Sequence, residues 1–361
     1  MDQLRIQYGL LSRFCQKVFT SYGFSAEQSE AITDVLLQAD LYGIESHGIQ
    51  RLVRYHDEIR RGMVVIGAEP EIVHETAVSA VIDARQAMGQ LVGVQAMQLA
   101  IGKAEQSGIG LVAVRNSNHF GIAGYYTKMA CDRDLIGISM TNTEAIMVPT
   151  FGRKAMLGTD PIAVAMPADP IPFLFDASTT VVTRGKIEVH RKKDAPLPAG
   201  WALDAQGDVT PDASLVLDNI INRRGGGILP LGGVGELLGG HKGYGLALIC
   251  ELFTGIMAGG PTANHLSSVA PTADISHCFW AIDYGLFGHK QEIRANFSSY
   301  LRELRASARA VGQERIYTHG EKELERCLLI RGQGIPVNEK TWRELEQIGR
   351  DCGLDPEAYL V

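Results

Sequence analysis

The chain has few features of an oxidising compartment. Its six cysteines (Cys15, Cys131, Cys250, Cys278, Cys327 and Cys352) are scattered over 361 residues. None forms a C-x-x-C pair, so neither a disulfide framework nor a zinc site is suggested, and they read as thiols in a reducing cytoplasm. No long basic block occurs and the net charge is -7, which argues against nucleic acid or an anionic membrane as the main partner. The N-terminus, MDQLRIQYGLLSRFCQK, lacks an uninterrupted apolar core and a small-residue cleavage site; it reads as an amphipathic helix rather than a signal peptide. The longest apolar run, GYGLALICELFTGIMAGG (Gly243 to Gly260), is short, broken by glycine and carries Glu251, so a buried helix is expected instead of a membrane span.

The common cofactor and hydrolase signatures are also missing. A Rossmann fingerprint needs G-x-G-x-x-G directly after a strand, and the nearest stretch, GGVGELLGG (Gly232 to Gly240), lacks both spacing and context. A P-loop fails as well: His241 intervenes before Lys242, and Gly243 stands where a hydroxyl is needed. There is no G-x-S-x-G elbow, no H-E-x-x-H and no cluster suggesting a metal.

What is present is ordinary globular material, 45% hydrophobic and 21% charged, long enough for two or three lobes. FSAEQSEAITDVLLQADLYG opens with Ser25 followed three residues later by Gln28, a capping-box start, and Gly43 is placed to end that helix. From about residue 70 strands and helices alternate: AVSAVIDA, GIGLVAV, LIGISMTN, PIAVAMPA and FLFDAS read as strands, CFWAIDY as one more, and GQLVGVQAMQLAIGKAEQSG as a helix. The tail from about Gln291 returns to charged helical patterns. The expected architecture is α/β: a central domain over 71–290, flanked by a helical lobe built from both chain ends, 1–70 plus 291–361.

Polar tips between these elements carry the chemistry. In SHGIQRLVRY, Ser46 and His47 stand at a helix start that favours an anion, and Arg51 and Tyr55 share a face at i, i+4. Arginine is the side chain best shaped to hold a carboxylate with two hydrogen bonds. Alone, Ser46 as a cap and a solvated Arg51 explain the segment equally well. In RNSNHFGIAGYYTKM, His119 follows an apolar strand and precedes Gly121; it either transfers a proton or is a hydrogen-bonded loop residue. GTDPIAVAMP places Thr159 and Asp160 in a turn before a strand. FDASTTVVTRGK ends a strand with Asp176, suited to ribose hydroxyls, and follows it with Ser178, Arg184 and Lys186, suited to phosphate. GGHKGYGLALICEL offers a glycine cradle and Lys242 for phosphate, or simply a tightly packed helix start.

Taken together and in order, SHGIQR, NSNHFGIAGYY, GTDPIAVAMP, FDASTTVVTRGKIEVH, GWALDAQGDVTPD and LGGHKGYGLALICELFTG resemble the malate/L-lactate dehydrogenase family of NAD(P)-dependent oxidoreductases, from about Ser25 to Trp342. The resemblance implies a non-Rossmann NAD(P)-binding α/β domain, a homodimer, and reversible hydride transfer between NAD (or NADP) and a small 2-oxo or 2-hydroxy acid, malate/oxaloacetate or lactate/pyruvate first. Neighbouring expectations are a reductase of sulfolactate, ureidoglycolate, sugar keto acids or cyclic imino acids, or a non-catalytic metabolite-binding homologue. The resemblance implies His119 or His47 as proton donor/acceptor, and Ser46, Arg51, Tyr55 and Thr159 facing substrate. It places Ser139, Asp160, Asp176, Ala177, Ser178, Arg184, Lys186, His241, Lys242 and Gly243 near the cofactor. Asp160 departs from the family's usual Asn in this turn.

Overall fold

A computed structural model describes residues 4–267 and 270–356. Its centre is a seven-stranded sheet in the spatial order Glu71–Glu75, Ser79–Asp83, Ile109–Ser117, Ile275–Ile282, Ile136–Thr141, Ile162–Met166, Phe173–Ala177. Ser79–Asp83 runs parallel to Ile109–Ser117, and the other neighbours are antiparallel. Parallel neighbours need a crossover, and the helix Gly89–Ser107 supplies it. The late strand Ile275–Ile282 enters between two strands far earlier in the chain. The centre is therefore a mixed α/β sheet, not a doubly wound parallel one.

One face of the sheet is covered by the helices Gly89–Ser107 and Ala123–Cys131. Val92, Ala96, Met97, Ala100 and Ala104 recur at helical spacing and bury against Val112, Val114, Phe279 and Ala281. Small residues let the backbones approach. At Gly110 an added Cβ would run into the Ala100 carbonyl, so only glycine fits that contact.

The two chain ends share one core: Ile6, Leu11, Phe14 and Val18 pack with Ile32, Leu36 and Leu52, and with Ile330, Ile335, Leu345 and Ile348 from the far end. The capping box of the second helix, Ala26–Leu41, forms as the sequence suggests, Gln28 N–H donating to Ser25 Oγ at 3.1 Å. The N-terminal stretch differs from the expected continuous helix. Leu4–Ile6 is a strand paired antiparallel with Ile335–Val337, and helix begins only at Tyr8. The helix Lys290–Ala306 stays outside this core; Arg294 and Ser298 tie it to Asp169, and Phe297 lies edge-on to Phe173. A further small core joins Ile146, Val182, Ile187, Val216, Leu217 and Ile228.

The apolar run expected to be a buried helix is a helix, Gly240–Glu251, continued by a π-turn over Leu252–Ile256, but much of it is not buried. Leu246, Leu248, Ile249, Leu252, Ile256 and Met257 are exposed, and Leu237 and Leu238 just before the helix are 96% and 80% exposed. Hydrophobicity sets that a surface is to be covered, not by which chain. Among the described residues no helix is long and apolar enough to cross a membrane.

Gly110→Ala is expected to destabilise the sheet–helix contact by about 1–3 kcal/mol, the usual cost of overpacking. The check is the midpoint of urea or thermal unfolding; an unchanged midpoint means that the helix has room to shift.

Candidate active site

The cavity of interest, about 350 Å³, opens where the terminal lobe meets the central sheet. Residues 44–63 wall one side, the tip after Ile109–Ser117 a second, and residues 159–185 a third. Ser46, His47, Arg51, His119, Thr159, Asp176, Ala177, Ser178 and Arg184 all line it. Six separate sequence motifs thus supply four that converge here.

His119 sits on a tip whose other polar groups are spent on structure. Asn116 donates to Asp83 at 2.9 Å, and Asn118 donates to the Gln86 and Ala87 carbonyls at 2.9 and 3.0 Å. Ser117 Oγ lies 3.0 Å from His277 Nε2. His119 Nδ1 meets the Tyr55 hydroxyl at 2.8 Å and receives the Gly121 N–H at 3.4 Å. A nitrogen that accepts a backbone N–H carries no proton in the neutral ring, so Tyr55 donates and the proton resides on Nε2. Nε2 has no hydrogen-bond partner among the described residues. Tyr55 itself is buried behind the cavity wall and orients the ring rather than lining the space.

His47 stacks on His119, ring centres 5.5 Å apart and planes at 25°. Its Nδ1 lies 2.9 Å from Ser46 Oγ. Burial, then the Arg51 and Arg54 guanidinium groups, lowers the His47 pKa to about 4. Burial, then Arg54, His47 and Arg51, holds His119 well below the usual histidine range. Both imidazoles are therefore neutral in the ligand-free protein near pH 7. Burial and the arginines together disfavour a histidinium at either position.

Arg51 donates through Nε to the Ser46 carbonyl at 2.5 Å and forms no ion pair among the described residues. Thr159 is pinned from both sides: its N–H donates to Thr143 Oγ1 at 2.9 Å, and its carbonyl accepts from Thr179 N–H and Oγ1 at 2.9 and 3.0 Å. Asp176 accepts the Gly124 N–H at 2.7 Å, and so anchors the start of helix Ala123–Cys131. Burial raises its pKa to about 6, against that hydrogen bond. Its other oxygen takes no hydrogen bond among the described residues. Ala177 and Ser178 follow on the same wall, and Arg184, at the first turn of helix Arg184–Lys192, pairs with Glu188 at 3.1 Å.

Several sequence-selected residues lie off this cavity. Ser139 is buried under it and donates to the Ala123 carbonyl at 2.6 Å, which fixes the same helix start that Asp176 holds. Lys186 points from the exposed side of its helix. His241 and Lys242 are exposed at the start of helix Gly240–Glu251, and Gly243 is buried where an added Cβ would strike the Leu231 backbone. Asp160 is fully buried within its own turn, with positive φ, and its Oδ2 accepts the Gly158 N–H at 3.1 Å. Its Oδ1 is buried without a partner. Burial first and the Glu251 carboxylate second raise its pKa well above the ordinary value. A protonated carboxyl has the shape of an asparagine amide.

Sequence reasoning passed over Arg54, Glu58, Thr143 and Thr183, which also line the cavity. Arg54 stands three residues after Arg51 and four before Glu58, a same-face spacing that carries a signal. Thr143 has none, since only the fold carries it to the Thr159 turn.

The profile of the family described as Malate/L-lactate dehydrogenase matches residues 6–346. The chain is 42% identical over 354 residues to a malate dehydrogenase of Pyrococcus abyssi, covering 98% of this chain and 96% of that one. It is 37% identical over 346 residues to an L-sulfolactate dehydrogenase of Methanocaldococcus jannaschii, covering 95% and 96%. A solved malate dehydrogenase structure from Entamoeba histolytica superposes with a TM-score of 0.94 at 32% identity, covering 98% and 99%.

The state of Asp160 sets a pH-dependent expectation. A carboxyl whose folded pKa is raised binds a proton that the unfolded chain has released, so its contribution to stability falls as pH rises above the unfolded value of about 3.9. Asp160→Asn removes that loss. Its unfolding midpoint is expected to gain on the wild type between pH 5 and pH 8, by at most about 1.4 kcal/mol per pH unit for one proton. A lead that stays flat across that range means that the carboxyl is ionised in the fold.

Proposed function

Since the chain belongs to the malate/L-lactate dehydrogenase family and is a 2-hydroxy acid oxidoreductase, we propose that the cavity around His119, His47 and Arg51 is its active site. The observation that carries this reading is the convergence in one cavity of two neutral histidines whose Nε2 atoms have no hydrogen-bond partner, and an arginine that has no ion-pair partner, among the described residues. Arg51 holds the substrate carboxylate beside the reacting carbon, with Ser46 and Thr159 along the same wall. His119 Nε2 exchanges the proton with the substrate oxygen, and the Tyr55 hydroxyl, able to donate to Nδ1 or accept from it, orients the ring in either tautomer. His47 stacks beside it and orients the substrate. Oxidation of the hydroxy acid uses the tautomer whose proton sits on Nδ1 and is given to the Tyr55 oxygen, so that the Nε2 lone pair accepts the hydroxyl proton; in reduction the imidazolium so formed returns that proton to the developing alkoxide.

A nicotinamide cofactor supplies or takes the hydride when bound. The opposite wall suits it: Ser178, Thr183 and the helix start at Arg184 and Gly185 offer hydroxyl and backbone N–H donors, and Asp176 keeps one oxygen unbonded for a ribose hydroxyl. NAD is favoured over NADP because Asp176 offers an acceptor for a ribose hydroxyl and Arg184 on the same wall has its Nε held by Glu188. Malate/oxaloacetate is the first substrate pair to try, given the malate dehydrogenase relatives at 40% and 42% identity. A cytoplasmic location is in keeping with the free thiols and a nicotinamide cofactor. The exposed apolar stripe on Gly240–Glu251 and Leu252–Ile256 is the interface of a homodimer.

Absorbance at 340 nm with a panel of 2-oxo acids and both cofactors tests the reading. Turnover of oxaloacetate with NADH is expected, and inactivity across the panel sinks it. His119→Asn is expected to lose about 10²–10⁴-fold in kcat, the usual worth of a positioned acid–base group, with NADH affinity nearly unchanged. Full activity in that variant moves the proton to His47.

Light scattering after size exclusion tests the interface. A dimer is expected for the wild type, and Ile249→Glu is expected to shift it toward monomer by burying an unpaired charge. A monomeric wild type rejects the assignment of that face.

A further inference from the structure

Three arginines line the cavity, and their partners differ. Arg184, on the opposite wall, gives its Nε to Glu188 Oε1 at 3.1 Å. Arg51 is held through Nε by the Ser46 carbonyl. Arg54 gives its Nε to Glu58 Oε1 at 2.6 Å, and its two terminal nitrogens take no acceptor among the described residues. The bond to Glu58 fixes the fork from behind and leaves its double-donor edge free. Glu58 Oε2 is buried without a partner.

Residues 51, 54 and 58 follow the i, i+3, i+7 spacing of one helical face, so Arg51 and Arg54 meet the cavity side by side. Arg54 is among the cations that depress Arg51 and His47, and among the charges around His119 it has the largest effect. Two cations face one carboxylate here. Glu58 offsets the charge of Arg54, but the free double-donor edge of that guanidinium can still hydrogen-bond a second anionic group of a ligand. A monocarboxylic 2-oxo acid bonded to Arg51 leaves the terminal nitrogens of Arg54 without an acceptor.

We propose that Arg54 is the specificity-determining residue of this site, its terminal nitrogens holding the distal carboxylate of a four-carbon 2-oxo or 2-hydroxy dicarboxylate while Arg51 holds the carboxylate beside the reacting carbon. The proposal rests on the reading of the cavity as a 2-hydroxy acid site. It adds a consequence for catalysis: the dicarboxylate itself offsets the charges that keep His119 neutral, so binding restores the proton affinity that reduction needs.

The test compares kcat/KM for oxaloacetate and pyruvate, each with NADH, in the wild type, Arg54→Gln and Arg54→Lys. Arg54→Gln is expected to lower the oxaloacetate value about 10- to 100-fold, the range for a lost charged hydrogen-bonded pair, and to change the pyruvate value less than about threefold. Arg54→Lys keeps the charge without the fork and is expected to fall between. Equal losses on both acids, or a drop in NADH affinity in Arg54→Gln, make Arg54 part of the scaffold and overturn the proposal. A wild type that reduces neither acid removes the active-site reading beneath it, a distinct result from a wild type that reduces both equally well.

Discussion

The site depends on a buried neutral histidine that is not itself in the cavity. His277 lies in the middle of the sheet, with Nδ1 2.8 Å from Thr141 Oγ1 and Nε2 3.0 Å from Ser117 Oγ. Its ring is stacked on Phe120, centres 4.4 Å apart and planes within 2°. Burial lowers its pKa to about 3, so it stays uncharged and needs no counter-ion. It joins a strand from late in the chain to the tips of two early ones. Ser117 and Phe120 are thereby held on either side of His119, and the ring between them has one direction left to face.

The same economy recurs around the cavity. Asp176 and Ser139 hold the start of one helix, Thr143 and Thr179 hold Thr159, and Tyr55 holds His119. Polar groups used this way cannot bind ligand with the same atoms. Among the described residues, the cavity groups left without a hydrogen-bond partner include Nε2 of both histidines, the terminal nitrogens of Arg51, Arg54 and Arg184, and one oxygen each of Asp176 and Glu58. Burial first, and the neighbouring cations second, keep the two histidines neutral, and the free donors suit an anionic ligand.

The fold was legible where a local rule governs. The Ser25–Gln28 capping box, the helix Gly89–Ser107 and the short apolar strands follow from spacing alone. It was not legible where two distant segments meet. Leu4–Ile6 reads as the start of an amphipathic helix and becomes a strand because Ile335–Val337 offers it a partner. The Gly243 to Gly260 run reads as buried because it is apolar, yet the single chain leaves one face of it open.

The candidate site divides in the same way. Sequence determined that histidines, an arginine and hydroxyls would stand at strand ends and helix starts, because the residues beside them dictate local backbone. It determined an ordered set of motifs that identifies a family and its chemistry. Tertiary structure alone decided which of these residues share a cavity. It took Ser139 and Asp160 out of contact and put them to work as supports, left His241 and Lys242 on the surface, and brought in Arg54 with both terminal nitrogens free. The reason is physical: side-chain chemistry is a property of the residue, whereas burial, partnership and charge balance are properties of what packs around it.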